Sequence, residues 1–423
     1  MAFMNLQLVT LLFLLTLSLL NAAAAFKAGI AVRNVTPNPL LPVSGGVGPS
    51  HAATRKEGEL TVRALVLEQE GTRVAIVSSD FLGFPGWLGN RVRAVVPEVP
   101  PQNILIGATH THSGPDCYGF PDDQGKTAMD PKYLETVCAR MAEAIKQAVA
   151  TLQPVRLKIA TGEAQGKISF NSYAEQLYDP RCHVIQVLDS SGRPLATLVN
   201  YAIHPEVIGS RQGICSPDLV GPLYERISEK GGGTGIFMNS AQGGMVTADN
   251  RRPEGKEARN WEECVRIGTL LADEALRIVK DAPELPSPKL YCAARQLSLP
   301  VDSPLMRALI KQLPGAPAGN NESVTTQLNL VNLGNAQILT IPGEALPNIG
   351  YYLKRKMRGR HNLLFGLTND AFGYILTKED YDSFKRYEYI SRTSLGERTG
   401  EILVQEALKF VAESPLPESQ VEK

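Results

Sequence analysis

The sequence predicts an α/β fold, with mixed β-sheets and flanking helices in a single layered domain. Three observations predict it. Short runs rich in Val and Ile recur along the chain, bounded by Gly, Asp or Asn, as strands are. Between them lie long segments whose apolar residues fall three and four apart, the spacing of amphipathic helices. No internal repeat or long low-complexity segment interrupts the alternation.

In chain order, residues 1–25 come first. Their apolar run, Leu8 to Leu20, precedes Ala23 and Ala25 in an A-x-A arrangement. This reads as a signal peptide cleaved before Phe26, being shorter than the roughly 20 apolar residues of a membrane span. A secreted or periplasmic protein is therefore expected, although the segment carries no Lys or Arg. "RVAIVSSDF", "NILIGAT", "HVIQVLD", "ATLVNYAIH", "GIFMNSA", "LNLVNLG" and "QILTIPGE" read as strands. "PKYLETVCARMAEAIKQAVATL", "NWEECVRIGTLLADEALRIVKDA" and "LGERTGEILVQEALKFVAE" read as helices. "LPGAPAGNNES" (313–323) reads as a surface loop. The domain is expected over 26–412, with a flexible tail over 413–423.

Composition narrows the partner. In 423 residues, 43 Lys and Arg balance 43 Asp and Glu, so no strong field draws nucleic acid or an acidic membrane. A small or neutral partner is expected. The six cysteines contain no C-x-x-C pair, and Cys138 and Cys264 fall in helical patterns as buried thiols. A chain this long needs no metal to stay folded, so any metal serves function.

Ligands of α/β sheets gather beyond the carboxyl ends of strands. Three apolar runs end in ligand-type residues: "ILIGATHTH" in His110 and His112, "LATLVNYAIHPE" in His204, and "AQILTIPGE" in Glu344. In extended backbone, residues two apart project to one side, which would turn His110 and His112 into one cavity. A metal that activates water takes His and carboxylate ligands and keeps a position open. His110, His204 and Glu344 supply such a set, though a lone histidine at a strand end is commonly structural. Asp80 is read as a carboxylate that orients a ligand, and Asp218 as a helix N-cap.

At these residues the sequence resembles the neutral/alkaline non-lysosomal ceramidase family, specifically its N-terminal catalytic domain. "ATHTHSGP" (108–115) resembles the family's most distinctive string. "VNYAIHPEV", "IPGEALPNIGYYLKRKM", "GYILTKEDYDSFKRYE" and the start "FKAGIAVRNVTP" resemble further segments, in the family's order. The resemblance implies zinc on His110, His204, Glu344 and Tyr374. It also implies His112 as general acid/base and Tyr387 as the donor to the developing oxyanion. The implied reaction is hydrolysis of an amide or similar acyl bond in a small-molecule or lipid substrate. A lipid substrate leaves room for transient contact with a membrane surface.

Three departures qualify the substrate. The family's serine segment corresponds to "SAQGGMVTADN" (240–250), where Val246 or Thr247 stands in the serine's place. A zinc–water mechanism survives that loss, and Thr247 is kept as a substrate contact. The family's substrate-contacting N-R pair corresponds to Asn171 followed by Ser172, which removes a bidentate guanidinium. The family's C-terminal immunoglobulin-like domain has no counterpart in the resemblance. The expected function is thus an exported zinc-dependent amidohydrolase acting on ceramide or a related N-acylated lipid. The alternatives are hydrolysis of a different acyl substrate on the same fold, or a non-catalytic binding protein.

Overall fold

The runs Thr72–Ser79 and Ile104–Ala108 become neighbouring parallel strands, with Ala75 opposite Ile104 and Ser79 opposite Ala108. They end a five-stranded sheet that continues antiparallel through Thr61–Gln69, Lys27–Asn34 and Gln153–Pro154. The second sheet repeats the scheme. Thr234–Asn239 pairs in parallel with Pro194–Tyr201, followed by antiparallel Arg181–Leu188, Arg156–Glu163 and Glu284–Leu285. In the third, His361–Phe365 lies parallel to Ala336–Thr340, beyond which run antiparallel Ser323–Leu333 and Leu290–Pro300. This is a computed structural model, and it describes residues 25–313 and 322–418. The expected signal peptide, apart from Ala25, and most of the 313–323 loop lie outside the described residues.

The three sheets share one apolar core. Leu65, Ile76 and Leu105 of the first meet Ile185, Leu198 and Ile236 of the second and Ile338, Leu363 and Phe365 of the third. Cutting any of these leucines to alanine costs about 2–5 kcal/mol, because close-packed surroundings cannot collapse into the void. Outward faces are covered separately. Helices Gly86–Ala94 and Pro131–Ala150 cover the first sheet, Val220–Glu229 and Trp261–Val279 the second, and Pro304–Gln312, Pro347–Lys356 and Thr399–Glu413 the third. No described helix is long and apolar enough to cross a membrane.

The parallel edges of the sheets are stitched together at their carboxyl ends. Asn200 Nδ2 donates to the carbonyls of Met238, Asn239 and Leu364, joining the second sheet to the third. The Gly366 amide donates to Asn239, and the Ala108 amide to Leu367. Every strand-end loop that carried a candidate residue therefore opens at one convergence point.

Two expectations change. Asp218 does not cap the helix it precedes. It takes a left-handed φ of 55° and accepts from the Ile208 and Leu219 amides, one position short of the cap at Leu219. Nor is the start of the tail loose, because its polar groups find partners on the third sheet. Glu413 pairs with Arg295, the Pro415 carbonyl accepts from Asn332, and the Glu418 amide donates to Gly334.

Candidate metal centre and cavity

The first histidines arrive by a turn, not by strand alternation. The strand ends at Ala108, and His110 takes a φ of 76°, a left-handed conformation that costs a non-glycine residue strain. Surrounding bonds hold it there. Its amide donates to the Phe81 carbonyl at 2.9 Å, and its Nδ1 meets the Leu82 carbonyl at 2.5 Å. The His112 amide donates to Pro205 at 3.0 Å, tying this loop to the one that carries His204. The Val246 carbonyl accepts both the His204 amide at 2.9 Å and its Nδ1 at 2.8 Å.

Glu344 enters from the third sheet. The double glycine of "AQGG" lets two backbones touch: a Cβ on Gly243 would lie 2.1 Å from the Glu344 carbonyl oxygen. Oε2 of Glu344 then sits 3.1 Å from His204 Nε2 and 3.3 Å from His110 Nε2. Nε2 of His112 lies 3.3 Å from that of His110. All four side chains lie at the end of an apolar framework, with His110, His204 and Glu344 buried.

These residues fit a metal ion. His110, His112 and His204 offer nitrogens within 4.8 Å of one another. Carbonyls hold the outer nitrogens of His110 and His204, leaving their Nε2 lone pairs inward as a ligand requires. Imidazole and carboxylate donors suit zinc among first-row metals. Burial opposes ionisation of Glu344, but His110 and His204 outweigh it and hold the carboxyl well below its ordinary range. Burial, then the neighbouring His110 and His204, push His112 well below the usual imidazole range. Carbonyls, not Asp80, orient the ligands. Asp80 is spent on the Thr61 amide and hydroxyl, at 2.8 and 2.7 Å.

A cavity of about 780 Å³ opens from this cluster. His110, His112, Glu344, Tyr374 and Tyr389 line one end, and Leu82, Phe120, Met306, Leu309, Ile310 and Phe372 line the other. Tyr374 stands opposite Glu344 in a short parallel pairing, and its hydroxyl lies 3.3 Å from the Met245 sulfur. Burial, with Glu344 nearby, raises its phenol well above the ordinary value.

Three expected contacts fall elsewhere. Tyr387 does not line the cavity. It stacks on Tyr173, centroids 5.7 Å apart, with Phe384 edge-on at 5.4 Å. Tyr389, two residues on, faces the histidines instead, because the chain turns helical at Glu388. Asn171 is committed to its own loop. Its Oδ1 accepts from the Tyr173 and Ala174 amides, and its Nδ2 donates to Leu177. Thr247 is half-buried and bridges His204 through the backbone, supporting that ligand without lining the cavity. Sequence reasoning missed Tyr389 and also Glu206, whose carboxylate reaches within 3.6 Å of His112 Nδ1. Both stood two residues from a nominated one, in "RYEYIS" and "IHPEV".

No family model matches the chain. It is 24% identical over 292 residues to neutral ceramidase A of Dictyostelium discoideum, covering 59% of this chain and 41% of that protein. It is likewise 24% identical over 247 residues to the neutral ceramidase of Pseudomonas aeruginosa, covering 52% and 37%. The matches thus span about two fifths of the length of these curated relatives. Among solved structures, neutral ceramidase from Pseudomonas aeruginosa superposes with a TM-score of 0.75 at 19% identity, over 94% of this chain and 76% of that one. A ceramidase complexed with C2 superposes with a TM-score of 0.74 at 19% identity, over 94% and 77%. At such identities the structural likeness establishes the fold.

Proposed function

The chain is related to the neutral ceramidases in sequence and in fold, and on that premise we propose that it is a zinc-dependent hydrolase. Its substrate is ceramide or a related N-acylated lipid, split at the amide bond into fatty acid and amine. The observation that carries this reading is the convergence of His110, His112, His204 and Glu344 at the polar end of an otherwise apolar cavity.

His110, His204, Glu344 and Tyr374 hold the metal in this reading. When bound, zinc supplies Lewis acidity and brings the pKa of water to about 7. The apolar wall of Met306, Leu309 and Phe372 takes the acyl chain and keeps bulk water from the reacting carbonyl. His112 delivers a proton from Nε2 to the leaving amine nitrogen. The Tyr389 hydroxyl donates to the carbonyl oxygen as negative charge gathers there. Burial, with Glu344 nearby, pushes that phenol up to about 12, which keeps its proton in place. We read 26–412 as the catalytic domain and 1–25 as the signal that exports it.

A second reading, the same chemistry on a different acyl group, is favoured by Asn171. Its side chain is already spent and Ser172 follows it, so this segment offers no guanidinium to a polar headgroup. The deciding experiment is release of fatty acid from a short-chain fluorescent ceramide by the purified mature protein, with and without chelator. Chelator-sensitive release is expected. A folded, zinc-loaded protein that releases none would transfer the conclusion to the second reading.

A further inference from the structure

Of the three clustered imidazoles, His112 alone has its outer nitrogen facing a carboxylate. Nδ1 of His110 and of His204 meet backbone carbonyls at 2.5 and 2.8 Å. Nδ1 of His112 lies 3.6 Å from Oε2 of Glu206, with the Gly45 carbonyl also beside the ring. The backbone builds this pairing. The Glu206 amide donates back to the His204 carbonyl at 3.0 Å, a three-residue turn about Pro205, while the His112 amide bonds the Pro205 carbonyl between them. Glu206 is thereby folded toward the His112 ring. The 3.6 Å gap is ion-pair reach, and a carboxylate side chain 23% exposed has the freedom to close it.

We propose that Glu206 is a positioning residue for His112: it accepts from Nδ1–H and so fixes the tautomer whose Nε2 lone pair points at the cluster. A ring with its hydrogen on Nε2 would aim that hydrogen at His110 Nε2, 3.3 Å away, and would leave Nδ1 without a hydrogen for either acceptor beside it. Which nitrogen of an imidazole carries the hydrogen is set by the bond that the other nitrogen makes. Two acceptors face Nδ1, but only Glu206 brings charge. The proposal rests on the reading of His112 as the group that moves a proton during hydrolysis, and it adds the residue that orients it.

The test uses the mature chain labelled with ¹⁵N-histidine, together with Glu206→Leu and Glu206→Gln. In zinc-free protein, long-range ¹H–¹⁵N NMR reads which nitrogen of His112 carries hydrogen, the signal being assigned by its loss in His112→Asn. The parent and Glu206→Gln should hold hydrogen on Nδ1, and Glu206→Leu should shift toward the other tautomer. With zinc restored, Glu206→Leu should keep its metal and lose about 10–100-fold in kcat at little changed KM, with partial rescue by Gln. A Glu206→Leu protein with the parent's tautomer and kcat within about twofold of the parent overturns the proposal. If the parent cleaves no amide, the functional reading fails, and the tautomer result alone then decides for or against Glu206.

Discussion

Nζ of Lys354 lies 3.1 Å from Nε2 of His183, both of them buried, with the Asp179 carboxylate 2.9 Å from the same ammonium. The hydrogens order themselves from there. Lys354 donates to Nε2, so His183 donates through Nδ1 to the Thr161 hydroxyl at 2.8 Å, which donates in turn to Nδ1 of His361 at 2.9 Å. Burial and then Lys354 hold His183 well below the usual imidazole range, while burial and Arg360 hold His361 down to about 4. Both rings are neutral in the folded chain, whereas unfolded histidines take up protons near ~6.5. Their contribution to stability is therefore complete above that value and lost as pH falls through it toward the folded values. Thermal unfolding at pH 7 and pH 5 should show the lower Tm at pH 5. In His361→Gln, which cannot titrate, that drop should shrink by about 2 °C. An undiminished drop would clear His361 of the effect.

The same lysine supports a second prediction. Lys354 and Asp179 form a buried pair, and Asp179 is also held by Arg181 at 2.7 and 2.8 Å. Removing one partner of a buried pair strands the other charge, which costs about 3–5 kcal/mol. Lys354→Met should fall at the low end, about 3 kcal/mol, because Arg181 still serves Asp179. Urea unfolding measures the loss. The double variant Lys354→Met/Asp179→Asn should recover part of it, and strict additivity of the two single losses would contradict a direct pairing.

Why some of this was legible in the sequence and some was not has physical reasons. Sheet strands with Val and Ile runs announce themselves, and so do strand-end histidines, because alternation and burial leave a local pattern. The turn at His110 leaves none. Its φ of 76° is imposed by the carbonyls of Phe81 and Leu82, about thirty residues away in sequence. The choice between Tyr387 and Tyr389 depends on where a short helix begins, and helix boundaries are set by packing more than by composition. Asn171 was nominated for a substrate, yet the geometry gives its amide to its own loop, a habit of asparagine that a motif match does not see.

Metal content separates the roles at the cluster. His110→Ala and His204→Ala should each lose stoichiometric zinc, measured by plasma mass spectrometry on dialysed protein, and all turnover with it. His112→Ala should retain zinc while turnover falls about 10²–10⁴-fold, the range for a general acid or base. Loss of zinc from His112→Ala would move it among the ligands, giving the three-histidine set that lies within 4.8 Å.

The tyrosines give the sharpest contrast, because two phenols two residues apart face different surroundings. Tyr389 lines the cavity beside Glu344 and Tyr374, its ring 5.9 Å from that of Tyr374. Tyr387 packs on Tyr173 and Phe384, away from the histidines. Deleting only the hydroxyl leaves each ring to pack as before, so any difference reports on hydrogen bonding. Tyr389→Phe should lower kcat about 10²–10³-fold with KM little changed, as loss of an oxyanion donor does, and should leave zinc in place. Tyr387→Phe should stay within about threefold of the parent, because its hydroxyl meets nothing that reacts. The reverse result would mean that Tyr387 swings into the cavity when substrate binds. The break at Glu388, where the chain turns into its short helix, would then be the place where the polypeptide moves.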